Sequence, residues 1–214
     1  MPQAIKICLG FALLLLIVTV GWRLASRRTS LPCPSWLAWL VELDNPLATN
    51  YSARSIIQRL DLEPGMRVLD AGCGPGRVTI PLAQSLGTQG EVVAIDIQPR
   101  MLRRAEGKAR VAGLTNIKFL QLAIGVGKLG ANQFDRVLLV TVLGEIPDRQ
   151  SALQEIYLAL KPGGILSVTE IMFDPHYQSR RTILQLTNSV GFQEKAFFGH
   201  RFAFTLHLAK PKKD

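Results

Sequence analysis

The chain has 214 residues, of which 48% are hydrophobic and 19% are charged. Its 25 Lys and Arg residues outnumber its 16 Asp and Glu residues, so the formal net charge is +9. This composition excludes an intrinsically disordered chain, which combines low hydrophobicity with high charge. The three cysteines, Cys8, Cys33 and Cys73, are too few and too scattered for a disulfide scaffold or a zinc site, and no metal site is predicted.

Residues 1–28 are predicted to be a membrane anchor. The run from Ile7 to Trp22 carries no charge, and Arg23, Arg27 and Arg28 follow it closely. With its flanking apolar residues the segment reaches about the 20 residues that span a bilayer. The positive charges after the run predict a single-pass membrane protein whose C-terminal domain is cytoplasmic. A cleaved signal peptide and a buried core helix are the alternatives.

Residues 29–49 connect this segment to the rest of the chain. Trp36 and Trp39 lie three residues apart in an apolar run between prolines, and Leu37 and Leu40 share a helical face with Trp36. Tryptophan favours the membrane–water interface. We therefore predict an amphipathic helix that lies on the bilayer or caps a pocket, with a helix packed on the core as the alternative.

Residues 50–214 are predicted to form one α/β domain. After a helix within 50–60, strand-like and helix-like segments alternate, as is typical of a parallel sheet covered by helices. The predicted strands are Arg67–Leu69, Glu91–Ile95, Ile117–Leu120, Arg136–Val140 and Ile165–Ile171. The predicted helices are Val78–Leu86, Arg100–Ala112, Arg149–Leu160 and Gln178–Ser189.

The end of the chain departs from this alternation. Glu194–Phe198 and Arg201–Ala209 are strand-like and are separated only by Gly199 and His200, which predicts an antiparallel hairpin at the sheet edge. The expected fold is thus a Rossmann-like, doubly wound sheet of seven strands with a C-terminal hairpin, plus one N-terminal transmembrane helix.

A glycine-rich turn follows the first strand. Gly72, Gly74 and Gly76 stand at alternate positions directly after Asp70. Glycines let a backbone turn sharply and approach a ligand closely, and the next helix begins with unpaired N–H groups. The spacing differs from the G-x-G-x-x-G of dinucleotide-binding folds, and a carboxylate would repel a pyrophosphate. A ligand with a cationic amino-acid part fits this turn better.

Asp96 ends the second strand, 20 residues after Gly76. An acid in this position can accept hydrogen bonds from both hydroxyls of a ribose. An acid after a strand is common by itself, but its pairing with the glycine turn at this distance predicts a nucleoside site.

These motifs resemble those of the class I S-adenosylmethionine (SAM)-dependent methyltransferases, over roughly Tyr51 to Pro211. The runs VLDAGCGPG and VVAIDIQP are similar to the family's first and ribose-binding motifs. The style is closest to the ubiquinone/menaquinone-type and related small-molecule or lipid enzymes. The resemblance implies SAM as the cofactor.

The resemblance also implies roles for individual residues. Asp70 and the backbone of Gly72, Cys73, Gly74 and Gly76 would hold the methionine part of SAM. Asp96 would bind the ribose, and Ile97 would pack on the adenine.

One position departs from the family pattern. Leu122 stands where relatives often carry an acid that accepts from the adenine amino group. Backbone groups of Ala123 or Ile124 would recognise adenine instead, and Thr141 after the fourth strand would lie near the methyl donor.

The catalytic candidates lie after the fourth and fifth strands. Glu145 is predicted at the mouth of the pocket, and the run Glu-Ile-Met-Phe-Asp-Pro-His-Tyr carries Glu170, Asp174, His176 and Tyr177. His176 has the intrinsic pKa suited to a general base. Glu145 and His176 are therefore the predicted catalytic residues, although a surface carboxylate and a structural histidine are the plainer interpretations. Tyr51, Glu170 and Tyr177 are the predicted substrate-binding residues.

Two functions fit these observations. The first is a membrane-anchored methyltransferase that acts on a small lipophilic or lipid acceptor, and the second is a non-catalytic SAM-binding module for assembly or regulation. A nucleic-acid partner is not predicted, because the basic excess is spread along the chain and the Asn/Asp-Pro-Pro-aromatic sequence of base-methylating enzymes is absent. The sequence leaves the acceptor atom and the oligomeric state open.

Overall fold

The computed structural model describes residues 51–212 and five single positions before them. These positions, Ile5, Gly10, Leu13, Ile17 and Gly21, are helical and exposed. The predicted anchor (1–28) and connector (29–49) otherwise lie outside the described residues. In the part of the chain that is described, no helix combines the length and the apolar character needed to cross a membrane.

Seven strands and five α-helices alternate along the described domain. The strands are β1 (Arg67–Ala71), β2 (Glu91–Asp96), β3 (Ile117–Gln121), β4 (Phe134–Val140), β5 (Leu160–Ile171), β6 (Gln193–His200) and β7 (Ala203–Ala209). The helices are α1 (Ala53–Gln58), α2 (Thr79–Leu86), α3 (Pro99–Val111), α4 (Arg149–Ala159) and α5 (Arg180–Val190), and a 3₁₀ turn spans Leu143–Glu145.

The strands form one sheet in the order β3-β2-β1-β4-β5-β7-β6. Strands β1 to β5 are parallel, whereas β7 runs antiparallel between β5 and β6. The predicted seven-stranded, doubly wound sheet with a C-terminal hairpin is therefore confirmed. The strand order reverses at β1, where β2 and β4 leave in opposite directions, and ligands bind at such switch points in open α/β sheets.

Several predicted boundaries shift by one or more residues, and two of the differences have a clear cause in the sheet. The hairpin turn is Arg201 and Phe202 rather than Gly199 and His200, because His200 already pairs with Ala203. Gly199 lies inside β6, where a Cβ would stand 2.3 Å from the carbonyl oxygen of Ala203. The absence of a side chain at Gly199 therefore lets β6 approach β7 closely, and Gly199 does not form the turn.

Strand β5 also begins earlier than predicted, at Leu160 instead of Ile165. The N–H of Gly163 donates to the carbonyl of Lys210, and the N–H of Lys210 donates to the carbonyl of Gly164, both at 2.9 Å. Leu160 itself pairs with Phe134 of β4. The Pro-Gly-Gly segment is thus held in the sheet between β4 and the residue that follows β7, by distant pairings that local composition opposes.

Apolar residues on both faces of the sheet are buried. Val68 packs with α1 and α2 on one face, whereas its neighbour Leu69 packs with α4 and α5 on the other. Alternate residues of a strand point to opposite faces, so a strand covered on both sides reads as one continuous apolar run. Helices on both faces leave the carboxyl ends of the strands as the place for a cleft.

Gly144 joins the segments that follow β4 and β5. It lies in the 3₁₀ turn, and a Cβ added to it would stand 1.9 Å from the carbonyl oxygen of His176. The obstructing atom belongs to the backbone, so it cannot swing away as a side chain would. The small residue therefore lets these two segments touch.

We expect Gly144→Ala to destabilise the protein by about 2–3 kcal/mol, since overpacking against backbone forces a main-chain shift. Gly107→Ala is the matched control, because Gly107 lies inside α3 with no atom within 4 Å of the added Cβ. This control is expected to stabilise by about 0.5–1 kcal/mol. Denaturant unfolding measures both values, and equal stabilities of the two variants would contradict the packing argument.

Candidate active site

A cleft of about 260 Å³ lies at the carboxyl ends of the parallel strands. Its walls come from the ends of β1, β2, β3 and β4 and the segments that follow them, with Tyr51 from before α1 and Asp174 from the loop after β5. Most of the predicted site residues lie together in these walls: Tyr51, Gly72, Gly74, Asp96, Ile97, Ala123, Ile124, Thr141 and Glu145.

The glycine turn is held by hydrogen bonds from its own backbone. The N–H groups of Gly72 and Cys73 donate to the carbonyl of Ile95 at 2.8 and 2.9 Å, which ties the turn to the end of β2. Gly72 has φ +77°, and a Cβ there would stand 2.5 Å from the side chain of Val142. At Gly74 an added Cβ would meet no atom within 4 Å, so this backbone is open to the cleft.

Asp96 is the acid at the centre of the cleft wall and is only 8% exposed. Its Oδ2 accepts from the N–H of Gly74 at 2.9 Å, and its Oδ1 accepts from the N–H of Gln98 at 2.8 Å. Burial raises the pKa of Asp96, and these backbone hydrogen bonds oppose the shift. Each carboxylate oxygen keeps a further lone pair, so the group can still accept two hydroxyl hydrogen bonds.

Asp70 lies behind the turn and is not among the residues that line the cleft. Its Oδ2 accepts a 2.6 Å hydrogen bond from the hydroxyl of Thr79, the first residue of α2. Burial raises the pKa of Asp70 to about 6, against the opposing effects of the Thr79 hydrogen bond and of Arg77. A direct contact with a ligand therefore stays a prediction, and the observed contact joins β1 to α2.

Cys73 and Gly76 are also not among the residues that line the cleft. Cys73 packs with Ala94 and Leu102, and burial raises the pKa of its thiol. At Gly76, a Cβ would stand 3.0 Å from the Cβ of Ala105 in α3. These two residues let α3 approach the turn closely, and their predicted cofactor contacts are untested.

The residues predicted for adenine form the wall on the β3 side. The N–H of Leu122 donates to the carbonyl of Asp96 at 3.2 Å, which joins this wall to β2. Within residues 51–212, the N–H groups of Ala123 and Ile124 donate to no other protein group. Both therefore remain available to a ligand in the cleft.

Thr141 holds a strained backbone at the end of β4, with φ +56°. A β-branched residue in this region costs about 1–3 kcal/mol and persists only where the surroundings impose it. Here the N–H of Thr141 donates to the carbonyl of Thr169 in β5 at 2.9 Å. Such strain is a frequent feature of binding and catalytic sites.

The two predicted catalytic residues lie side by side. Nδ1 of His176 is 3.8 Å from Oε1 of Glu145 and 4.0 Å from Oδ1 of Asp174. Asp174 also accepts the N–H of His176 at 2.7 Å. Glu145 and Asp174 line the cleft, whereas His176 is 5% exposed and lies behind them. The geometry thus favours a carboxylate as the group that meets a substrate, with the histidine as its neighbour.

Glu170 and Tyr177 support the loop after β5 and do not line the cleft. Oε2 of Glu170 accepts from the N–H of Gln178 at 3.1 Å, and burial raises the pKa of this carboxyl well above its usual value. The Tyr177 hydroxyl donates to the carbonyl of Arg201 at 2.6 Å. Their predicted substrate contacts therefore stay predictions.

Sequence reasoning missed two supporting residues. The guanidinium of Arg77 lies 4.2 Å from the centre of the Tyr51 ring and donates to the Tyr51 carbonyl at 3.0 Å. This contact fastens Tyr51 to the segment between the glycine turn and α2. Gly144 was missed as well, because its contact with the backbone of His176 joins two segments that are distant in the chain.

We expect the raised pKa of Asp70 to make stability depend on pH. The pKa of this carboxyl is about 3.9 in the unfolded chain and about 6 in the native state. Between these two pH values the native state therefore binds more protons than the unfolded state. The free energy of unfolding therefore falls as pH rises through this window, by roughly 3 kcal/mol. Denaturant unfolding of the wild type and of Asp70→Asn measures the difference, in which carboxyls that do not interact with Asp70 cancel. Parallel pH curves for the two proteins would contradict this assignment.

Comparisons with known proteins agree with the geometry. A family model described as a methyltransferase domain matches residues 62–197. The chain is 29% identical over 153 residues to a demethylmenaquinone methyltransferase of Geobacillus stearothermophilus, covering 72% of this chain and 60% of that protein. It is 33% identical over 129 residues to a ubiquinone/menaquinone biosynthesis C-methyltransferase of Shewanella oneidensis, covering 60% of this chain and 51% of that protein. The chain thus spans between half and two thirds of the length of these relatives.

Solved structures share the fold. A SAM-dependent methyltransferase from Aquifex aeolicus superposes with a TM-score of 0.75 at 20% identity, covering 84% of this chain and all of that one. Magnesium protoporphyrin IX methyltransferase from Synechocystis, with bound SAM, gives a TM-score of 0.65 at 21% identity, covering 82% of this chain and 90% of that one. With the family match over 62–197, these findings establish that the chain belongs to the SAM-dependent methyltransferase family.

Proposed function

We propose that this protein transfers a methyl group from SAM to a lipophilic acceptor at a membrane surface. The observation that carries the proposal is the buried Asp96 carboxylate, which faces the cleft beside the open backbone of Gly74. A ribose needs an acceptor for its hydroxyls, and an amino-acid tail needs room along a glycine turn. Both are present, so the residues fit the cofactor. When bound, SAM supplies a methyl group activated by a sulfonium.

Asp96→Asn is expected to weaken the binding of S-adenosylhomocysteine about 100-fold, because the amide presents one donor where two hydroxyls need acceptors. Glu91→Gln is the matched control, since Glu91 starts the same strand and pairs with Arg67 at 2.6 Å. Its affinity should equal that of the wild type. Isothermal titration calorimetry gives the dissociation constants. Unchanged binding by a folded Asp96→Asn protein would show that Asp96 does not contact the ligand.

The relatives named as demethylmenaquinone and ubiquinone/menaquinone methyltransferases suggest a quinol-type acceptor. The surface beside the cleft supports a lipophilic molecule. Phe173, adjacent to the cleft residue Asp174, is 78% exposed, and Phe202 is 41% exposed. The N–H of Met172 donates to the carbonyl of Phe202 at 2.7 Å, which brings the two aromatic segments together. Exposed aromatic residues are typical of a membrane interface.

The charges near these aromatic residues fit an anionic bilayer. The guanidinium of Arg201 lies 4.5 Å from the centre of the Phe202 ring. A cation beside an exposed aromatic ring combines attraction to lipid headgroups with insertion of the ring at the interface. Together with the apolar run from Ile7 to Trp22 and the arginines that follow it, this surface supports a protein anchored by one helix, with the domain on the cytoplasmic side.

The chain's own groups can serve methylation of a ring carbon. As the carbon forms its bond with the methyl group, it must release its ring proton. Glu145 lies at the cleft and can accept this proton, while His176, 3.8 Å away, can stabilise the carboxylate and fix its orientation. The 3₁₀ turn and the loop after β5 hold these two groups in place beside the cleft.

We expect Glu145→Gln to lower kcat about 100-fold with little change in SAM affinity, since the amide cannot accept the proton. The assay follows labelled methyl groups from SAM into a demethylated quinol presented in lipid vesicles. Glu63→Gln removes an exposed carboxylate elsewhere and should leave kcat unchanged. If Glu145→Gln keeps the wild-type kcat, Glu145 is not the base.

A non-catalytic SAM-binding module is the second candidate. Leu122, which replaces the acid found in many relatives, is the observation that favours it. Incorporation of labelled methyl groups into lipid by the wild type would reject this candidate. Binding of SAM without any incorporation, across a membrane lipid extract as well as the quinol, would support it. Resistance of the full chain to alkaline extraction from membranes tests the anchor separately.

A further inference from the structure

The loop between β3 and β4 is attached to α4 through one buried acid. Glu155 lies in α4 and is 7% exposed. Its Oε1 accepts from the N–H groups of Lys128 and Leu129 at 2.5 and 3.0 Å, and its Oε2 accepts from the N–H of Gly125. A carboxylate that receives three backbone donors satisfies groups that burial would otherwise leave unpaired.

Packing seats the same loop on α4. Gly125 has φ +93°, and a Cβ there would stand 3.2 Å from the backbone nitrogen of Ala152. Leu122 and Ile124 pack against the core cluster that contains Leu153 of α4. The loop position is therefore set by the face of α4 rather than by local turn propensity.

This attachment matters for the cleft because the loop begins with its wall. Leu122, Ala123 and Ile124 line the cleft, whereas within the described chain α4 contributes no lining residue. Glu155 accepts from the very next residue, Gly125. A shift of the loop would therefore move the N–H groups of Ala123 and Ile124 relative to the cleft.

We propose that Glu155 is a positioning residue that sets the preference of the cleft for adenine. This rests on the proposed function. Adenine carries an acceptor at ring position N1, whereas hypoxanthine carries an N–H donor there. A backbone N–H held against that position by the Glu155-anchored loop would donate to N1 of adenine and would be repelled by the N–H of hypoxanthine. Leu122 stands where an acid is expected after β3. Backbone N–H groups that Glu155 of α4 holds in place would recognise the adenine instead.

The test uses the full chain in detergent and two ligands, S-adenosylhomocysteine and S-inosylhomocysteine, measured by calorimetry. Glu155→Gln puts an amide N–H₂ against the loop donors. Gly125→Ala moves the same loop without changing a charge, because its Cβ would press on Ala152. Glu106→Gln, on the exposed face of α3, is the control for loss of a carboxylate.

We expect both loop variants to lose about tenfold in the preference for the adenine ligand, and the control to keep it. Hydrogen–deuterium exchange of residues 122–129 should accelerate in Glu155→Gln, since the backbone N–H groups of the loop lose the carboxylate that accepts their hydrogen bonds. Should Glu155→Gln fail to fold, Gly125→Ala decides the result alone.

An unchanged ratio of the two affinities in folded loop variants, or an equal loss for both ligands, would overturn the positioning role. In that case the wild type still binds S-adenosylhomocysteine and the proposed function stands. A wild type that binds neither ligand would instead defeat the proposed function, and the role of Glu155 with it.

Discussion

The carboxylate of Asp96 is the contact on which the geometry of the site depends. It accepts one N–H from the turn after β1 and one from the segment after β2, and so couples the ends of two neighbouring strands. The carbonyl of Ile95 also accepts hydrogen bonds from this turn. Gly72 brings the turn against Val142 after β4, so the turn has one position relative to three strands. A preformed site of this kind binds its ligand without a large ordering cost.

Carboxylates that accept backbone N–H groups also occur in the other loops around the cleft. Glu155 collects backbone donors of the loop after β3, and Asp174 accepts the N–H of His176 in the loop after β5. In each place a side-chain carboxylate supplies the acceptor that an irregular backbone lacks. The acids therefore shape the cleft walls as well as line them. Burial without full compensation raises the pKa of Asp70, Asp96 and Glu170, so part of this organisation opposes stability near neutral pH.

Several features follow from local sequence alone. The buried strands are continuous apolar runs, and alternate glycines mark the turn after β1, so the sheet and this turn were predictable. The start of β5 was not predictable, because Leu160 joins the sheet by pairing with Phe134 of β4. The hairpin turn was not predictable either, because it depends on how far β6 pairs with β7. Likewise, Glu145 and His176 were each identifiable as chemical candidates, but no local pattern states which of them faces the cleft.

The sequence by itself determined the fold class, the family and the cofactor-binding motif, because these depend on periodicity and on residue types at fixed spacing. Only the tertiary structure decided which residues line the cleft. It placed Asp70, Cys73 and Gly76 in contact with helices, His176 beside two carboxylates, and Glu155 against a loop about 30 residues before it. The reason is physical: the direction of a side chain is set by close packing and hydrogen bonding between segments that are distant in the chain.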